Sequence, residues 1–186
     1  MKLLGISGSL RRASHNTALL RAAARRLPAG VELELWDGLK AIPPYDEDDD
    51  SVEAPAAVVA LRRAIAGADA VLFSTPEYNS SVPGQLKNAL DWVSRPLAGN
   101  PLRNKPVAVI GASTGAFGAV WSQAELRKVL GAIGARVVDR DLPVGFAPTR
   151  FGEDGDLVDA PTDERLREHL DALISSAVAR SETLAA

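Results

Sequence analysis

The feature that most limits the fold of this chain is a regular alternation between short apolar runs and helix-like segments. Apolar runs of strand length occupy residues 2–7, 31–36, 70–75, 106–112 and 136–144. Apolar side chains at helical spacing occur in residues 14–27, 53–67, 83–94, 117–134 and 163–180. The strand-like runs are apolar on both faces, which is typical of a parallel sheet covered by helices on both sides. The sequence therefore predicts a three-layer α/β fold.

Length, composition and charge limit the class of protein further. The chain has 186 residues, which we expect to form one domain over 1–186. A net charge of -3 gives no general attraction to nucleic acid or to an anionic membrane. No apolar stretch approaches the roughly 20 residues of a membrane span. Because cysteine is absent, disulfides, thiolate metal sites and cysteine nucleophiles are excluded. The apolar stretch in MKLLGISGSL is too short for a signal sequence and is broken by Gly and Ser, so we expect a cytoplasmic protein.

The loop after the first apolar run carries many hydrogen-bond donors. Its sequence is GSLRRASHN (residues 8–16), and a predicted helix follows. Amide groups at a helix N-terminus bind anions, so this loop predicts a phosphate site. It lacks a P-loop lysine and suits a monophosphate better than a nucleoside triphosphate. An ordinary serine or asparagine helix cap with surface arginines is the alternative, and we expect Arg12 and His15 to face solvent.

Two further loops are expected at the same edge of the sheet, because ligands of open α/β sheets bind beyond the carboxyl ends of the strands. The segment PEYNSSVPG (residues 76–84) offers backbone donors and the Tyr78 ring to a flat heteroaromatic ligand, unless Tyr78 simply packs in a turn. The segment GASTGAFG (residues 111–118) has small residues that let a ligand approach the backbone, or it forms a plain tight turn.

Two other features are given ordinary structural interpretations. The acidic residues 46–50 are interpreted as a solvated loop, since adjacent carboxylates lack the spacing of a calcium site, and no metal site is predicted. Trp92 is predicted to lie in the core or at an interface.

Taken in this order and spacing, the three loops resemble those of the NADPH-dependent FMN reductase family, a flavodoxin-like group that includes chromate, quinone and azo-dye reductases. PEYNSSVPGQLKNALDWVSRP (residues 76–96) is similar to the most distinctive segment of that family. The resemblance covers nearly the whole chain. It implies a flavodoxin-like three-layer sandwich around a five-stranded parallel sheet of order 2-1-3-4-5.

The resemblance also implies an FMN site. The residues that would hold the phosphate are Ser9, Arg11, Ser14, Asn16 and Thr17. The residues that would line the isoalloxazine are Pro76, Glu77, Tyr78 and Asn79, with Ser113 and Gly115 approaching from the third loop. No catalytic side chain is assigned, because the flavin itself carries the redox chemistry.

The function that the resemblance implies is a flavoprotein oxidoreductase. Tightly bound FMN would pass electrons from NADPH or NADH to a quinone, free flavin, azo compound or chromate by a ping-pong mechanism. The expected partners are this small acceptor and further copies of the chain in a homodimer or homotetramer, with no nucleic acid or membrane. The preference for NADPH rests on the resemblance, since no basic cluster marks a 2'-phosphate pocket.

Two positions depart from the expected pattern, and two other functions remain as alternatives. The third loop has Gly118-Ala119 where a Gly-Gly pair is expected, and the extra methyl is expected to narrow the nicotinamide or acceptor pocket. Trp121 is bulkier than expected. A flavodoxin-like electron carrier is disfavoured by the mild charge of the chain. A phospho-relay regulatory domain would need acidic residues at the end of the first strand.

Overall fold

The structure is a computed structural model that describes residues 1–50 and 54–185. Among these residues, six strands alternate with five α-helices. The strands are β1 (Lys2–Ser7), β2 (Glu32–Trp36), β3 (Ala70–Thr75), β4 (Pro106–Ala112), β5 (Arg136–Val137) and β6 (Pro143–Val144). The helices are α1 (His15–Ala24), α2 (Ala56–Ala66), α3 (Gly84–Val93), α4 (Val120–Ala132) and α5 (Ala160–Ala185). The predicted start of the second helix at residue 53 lies outside the described residues.

The sheet is parallel and has the order β2-β1-β3-β4-β5, which confirms the flavodoxin-like topology. The predicted fifth strand over 136–144 is wrong in one respect, because it is interrupted. β5 pairs with the start of β4, and β6 pairs with its end. The intervening residues 139–141 are Asp-Arg-Asp, whose charges are better solvated outside the ladder. The two short strands together fill the fifth position of the sheet.

Both faces of the sheet are buried, which explains the continuous apolar runs. Neighbouring strand residues point to opposite faces, so Leu3 packs on the side of α1 and α5 while Leu4 packs on the side of α2, α3 and α4. Every residue of β3 and β4 is buried. The helices α2 and α3 begin directly after Pro55 and Pro83, because proline is tolerated at a helix start but not in its interior.

Two sequence interpretations can be compared with the structure here. Trp92 is fully buried and its indole Nε1 donates to the carbonyl of Pro43 at 2.9 Å, so its placement in the core is confirmed. The acidic loop is not solvated throughout, because the carboxylate of Asp50 pairs with Arg62 at 2.9 Å. No helix of the described residues is both long and apolar enough to cross a membrane.

A buried lysine lies at the amino-terminal end of the strands, opposite the end that carries the polar loops. Lys105 is only 3% exposed, and its Nζ donates to the carbonyls of Ala66 and Ala68, where α2 leads into β3. Burial, helped by the charge of Arg180, lowers the pKa of Lys105 from 10.5 to about 8, although Asp69 opposes the shift. The folded protein therefore releases this proton more readily than the unfolded chain does.

We predict that this lysine makes stability rise with pH. Between about pH 8 and pH 10.5, Lys105 is neutral in the folded state but protonated in the unfolded state, so the wild-type free energy of unfolding increases across that window. Relative to Lys105→Met, the gain should reach up to about 3 kcal/mol, since one pKa unit corresponds to about 1.4 kcal/mol. Urea melts of both proteins across this pH range measure it. If the free energies of unfolding of the wild type and Lys105→Met differed by the same amount at every pH, the prediction would be contradicted.

Candidate functional site

Three loops meet in one cleft at the carboxyl edge of the sheet. They follow β1, β3 and β4, and the strand register aligns Ser7 with Ser74 and Thr75 with Gly111 at this edge. The cleft is open to solvent and lies directly beyond the ends of the central strands. Its lining consists of Ser9, Arg11, Ser14, His15, Asn16, Pro76, Glu77, Tyr78, Ala112, Ser113 and Thr114. Eight of the eleven predicted site residues are thereby brought together.

The first loop presents a row of unused backbone donors. Ser14 is the N-cap of α1, and its hydroxyl accepts a hydrogen bond from the Thr17 amide at 3.2 Å. The amides of residues 10 to 16 donate no hydrogen bond to any described residue. Residues 10 to 13 are exposed, but Ser14 and Asn16 are buried and His15 is half-buried, and amides at such positions normally have a partner. The positive end of the α1 dipole adds to their field, so this loop favours an anion.

Arg11 is held by its own loop. Its Nε and Nη2 donate to the carbonyl of Ala13 at 3.1 Å and 2.6 Å. These bonds fix the guanidinium at the mouth of the cleft while leaving Nη1 without a partner among the described residues. The neighbouring Arg12 is exposed and does not line the cleft, as expected from the sequence.

The side chain of Asn16 joins the first loop to both other strands that border the cleft. Its Oδ1 accepts from the Ala112 amide and from the Ser74 hydroxyl, both at 2.9 Å. Its Nδ2 donates to the Ala112 carbonyl at 3.0 Å. All these atoms are buried, so Asn16 holds α1 against the ends of β3 and β4. Only its backbone amide is left for a ligand.

Thr17 lies behind the loop and does not line the cleft. Its hydroxyl donates to the Ser7 hydroxyl at 3.1 Å, and Ser7 Oγ in turn accepts from the Ser9 amide at 3.3 Å. Thr17 therefore orients the loop through Ser7 and does not face the space in front of α1.

The second loop is a tight hairpin. Tyr78 and Ser81 exchange two backbone hydrogen bonds, and both residues between them have positive φ, at 53° for Asn79 and 59° for Ser80. This two-residue turn makes Asn79 its tip, outside the lining of the cleft, whereas the half-exposed ring of Tyr78 lies along the wall. The amides of Glu77 and Asn79 donate to no described residue, but the Tyr78 amide is used by the turn.

Glu77 connects the second loop to the fourth helix. Its Oε2 accepts from the amides of Trp121 and Ser122 at 3.0 Å and 3.1 Å. These amides form the first turn of α4, whose N-cap residue, Ala119, has no side-chain acceptor of its own. The carboxylate therefore serves as the helix cap, and the backbone of Glu77 faces the cleft.

The third loop corrects one expectation about Ala119. This residue has a φ of 62°, its methyl is only 2% exposed, and it points to the space beside Gly111 of β4. The expected narrowing of an acceptor pocket by this methyl is therefore wrong. Gly118 cannot carry a side chain, because a Cβ there would lie 2.5 Å from the backbone at Pro143 and Val144. Ser113 lines the cleft, but Gly115 does not.

An aromatic pair stands beside this loop. The rings of Phe117 and Trp121 lie 5.0 Å apart, and the two side chains are 65% and 48% exposed. The bulk of Trp121 is thus directed to the surface next to the Glu77 cap.

His15 is the main residue that the sequence interpretation missed. It does not simply face solvent, because it lines the cleft and stacks on Phe151 with ring centroids 6.0 Å apart. As the first residue of α1, it directs its side chain back toward the helix N-terminus. Its position directly after the cap serine could have indicated this. Ala112 and Thr114 also line the cleft, and they lie in the small-residue segment 111–118 that was expected to approach a ligand.

Comparison with known proteins identifies the family. The model of the NADPH-dependent FMN reductase family matches residues 1–149. An NAD(P)H-dependent FMN reductase of Pseudomonas aeruginosa is 42% identical over 174 residues, which is 93% of each chain. A quinone reductase of Escherichia coli is 40% identical over 141 residues, covering 75% of this chain and 74% of the other. In structure, the flavoenzyme NAD(P)H:acceptor oxidoreductase FerB from Paracoccus denitrificans matches with a TM-score of 0.85 and 33% identity, over 96% of this chain and 98% of that one.

With its sheet order and its three-loop cleft, the chain belongs to the NADPH-dependent FMN reductase family. The expected NAD(P)H-dependent FMN/quinone reductase, with FMN as cofactor and NAD(P)H as electron donor, is thereby confirmed. The electron-carrier and regulatory alternatives are set aside, because the similar chains are named as reductases.

The Asn16 bridge generates a stability prediction. Asn16→Ala would leave the buried amide and carbonyl of Ala112 without these partners, so we expect a loss of about 3 kcal/mol in the free energy of unfolding. Urea unfolding followed by circular dichroism measures it. Ser9→Ala is the matched control from the same loop, because the Ser9 hydroxyl makes no hydrogen bond to a described residue. Equal stability of both variants would contradict the structural role of Asn16.

Proposed function

We propose that the cleft binds FMN with its phosphate in front of α1. The observation that carries this proposal is the row of unpaired amides of residues 10 to 16, accompanied by the Arg11 guanidinium and the hydroxyls of Ser9 and Ser14. Such a set of donors satisfies the three acceptor oxygens of a phosphate monoester. Of the predicted phosphate ligands, Asn16 contributes its backbone amide, and Thr17 supports the loop through Ser7.

The isoalloxazine is proposed to lie between the second and third loops. Pro76 and Tyr78 offer apolar surface, while the amides of Glu77 and Thr114 are unpaired among the described residues and suit the polar edge of the ring. The predicted contact of Asn79 would require the hairpin tip to turn toward the ring, because this residue does not line the cleft. Ser113 and the backbone near Gly115 close the opposite side. Donors at this edge stabilise negative charge on the reduced cofactor.

In this proposal the protein binds FMN and holds it in a fixed orientation. When bound, FMN supplies hydride acceptance from NAD(P)H and electron delivery to the acceptor. The Glu77 cap holds the second loop against α4, and the Asn16 bridge holds the first loop against β3 and β4. Both fixed contacts keep the cleft in one shape. We assign no acid or base among the side chains.

The acceptor is proposed to be a small quinone-like molecule, reduced in a ping-pong sequence. Relatives named as quinone reductase and 2-hydroxy-1,4-benzoquinone reductase, the latter 36% identical over 172 residues, support this class. The meeting of all three loops in one cleft supports its successive use by donor and acceptor. The exposed rings of Phe117 and Trp121 beside the second loop support a homodimer or homotetramer in which this surface is covered.

The phosphate placement predicts a difference between two adjacent arginines. Arg11→Ala should weaken FMN binding roughly ten- to a hundredfold, because a hydrogen bond to a charged group contributes about 1.5 to 3 kcal/mol. Arg12→Ala, the matched control, should leave the Kd unchanged, since Arg12 does not line the cleft. Quenching of FMN fluorescence measures both.

Riboflavin, which lacks the phosphate, should bind both variants and the wild type equally. If Arg11→Ala retained FMN as tightly as Arg12→Ala did, the phosphate would have to lie elsewhere.

The proposed ping-pong sequence predicts a kinetic pattern. Initial rates measured against NADPH at several fixed concentrations of a benzoquinone should give parallel double-reciprocal lines, because the oxidised nucleotide leaves before the acceptor enters. Repeating the series with NADH determines the donor preference. Intersecting lines would show that donor and acceptor occupy the protein together, and the ping-pong proposal would be wrong.

A further inference from the structure

His15 is a titratable side chain of the cleft for which the proposed function has no role so far. Its ring lines the same space as Arg11, Ser14 and Ser9. Neither ring nitrogen makes a hydrogen bond to a described residue, although the side chain is half-buried. Both nitrogens are open to the cleft and are free to bind a ligand that enters it.

The ring is held in place by a segment from the other end of the chain. Phe151 stacks on His15 with an interplanar angle of 18°, so one face of the imidazole is covered while its edge remains free to donate. Phe151 in turn pairs with Leu157 in a short antiparallel bridge. The imidazole is therefore supported from outside the first loop.

Ion pairs anchor this supporting segment to α1. Asp156 accepts from Arg25 at 3.0 Å and from Arg26 at 2.7 Å, and Arg26 also pairs with Asp163 of α5. Burial opposes ionisation of Asp156, but the hydrogen bonds from Arg25 and Arg26 outweigh it and lower its pKa to about 2. The segment thus stays attached near neutral pH, and the carboxylate of Asp156 is occupied by two arginines.

The charges facing His15 leave it without an anionic partner. On its own loop the neighbouring charge is Arg11, and burial together with that guanidinium lowers the pKa of His15. The supporting segment presents the uncharged ring of Phe151, and the third loop presents Ser113 and Thr114. Glu77 of the second loop directs its carboxylate to the amides of α4. Near neutral pH the imidazole is therefore mainly uncharged until an anion enters the cleft.

We propose that protonated His15 is a ligand of the FMN phosphate, so that binding of the cofactor is coupled to the uptake of a proton by this side chain. The inference rests on the proposed FMN site and adds to it a residue that makes cofactor affinity depend on pH. A phosphate monoester carries close to two negative charges at neutral pH. Placed beside the imidazole, it favours the charged form of His15 and opposes the effects of burial and Arg11.

The direction of the pH dependence follows from this linkage. Below the pKa of His15 in the free protein, the imidazole is already charged and its contribution to FMN binding is greatest. Between that pKa and the higher pKa of the complex, FMN affinity falls as pH rises, and above the latter His15 contributes no charge. Each unit by which FMN raises the pKa corresponds to a tenfold change in Kd.

The test compares the wild type with His15→Phe, which keeps the aromatic stacking on Phe151 but cannot be protonated. FMN Kd is measured by fluorescence quenching from about pH 6 to about pH 9, the range in which histidine titrates. The ratio of the variant Kd to the wild-type Kd should be about ten at the acidic end and approach one at the alkaline end. The second ionisation of the phosphate, with a pKa of about 6, falls at the acidic end of this range, and His15→Phe reports how FMN binding depends on it without a charge at position 15.

Two further measurements make the result specific. Since the chain has two histidines, the NMR signal lost in His15→Phe identifies His15, and its pKa should rise when FMN is added but not when riboflavin is added. His15→Gln, which removes the charge without adding an aromatic ring, should reproduce the Kd profile of His15→Phe if each variant retains the wild-type circular dichroism.

The possible outcomes separate this inference from the proposed function. A Kd ratio that stays constant with pH, while the wild type still prefers FMN over riboflavin, would overturn the role of His15 and leave the FMN site intact. A wild type that binds FMN no better than riboflavin would overturn the phosphate site itself, and the inference with it.

Discussion

The side chain of Asn16 is the contact on which the arrangement of the cleft depends. A parallel sheet aligns the ends of its strands, but it does not fix the loops that follow them. Asn16 does so by binding Ser74 of β3 and both backbone groups of Ala112 of β4, from a position in the first turn of α1. Satisfying buried polar groups in this way is worth about 1 to 3 kcal/mol for each group that would otherwise be unpaired. The first loop can therefore keep its amides unused, because other atoms hold it in place.

The second loop, like the first, is held in place by some groups while others face the cleft. Glu77 turns its carboxylate away to cap α4 and leaves its own backbone toward the cleft. Glu125 of α4 accepts hydrogen bonds from the Ser81 hydroxyl at 2.6 Å and from the Val82 amide. These bonds fix the hairpin turn that carries Tyr78. Ser81 and Val82 lower the pKa of Glu125, so this support is charged at neutral pH. Charged side chains thus stabilise the loops while backbone groups face the proposed ligand.

Much of this architecture could be predicted from the sequence, because apolar runs buried on both faces and polar loops after the first, third and fourth runs determine a doubly wound sheet with one polar edge. What individual side chains do there was less predictable. Asn16 and Glu77 are residue types that often bind ligands, yet their side chains form hydrogen bonds with other parts of the protein. His15 resembled an ordinary surface histidine because Phe151, its stacking partner, is distant in sequence. The fifth strand is interrupted at residues 139–141, because solvation of their three charges outweighs the β propensity of the apolar residues on either side.

That interruption has a consequence for how the molecule behaves among other copies of itself in a crowded solution. The last strand of an open sheet exposes unpaired backbone groups, and a long apolar edge invites strand addition from another chain. Here the edge consists of β5 and β6, each of two residues, separated by Asp139, Arg140 and Asp141. A second chain would find no continuous ladder to extend. The break in the sheet protects the fold against aggregation at the edge adjacent to the fully buried strand β4.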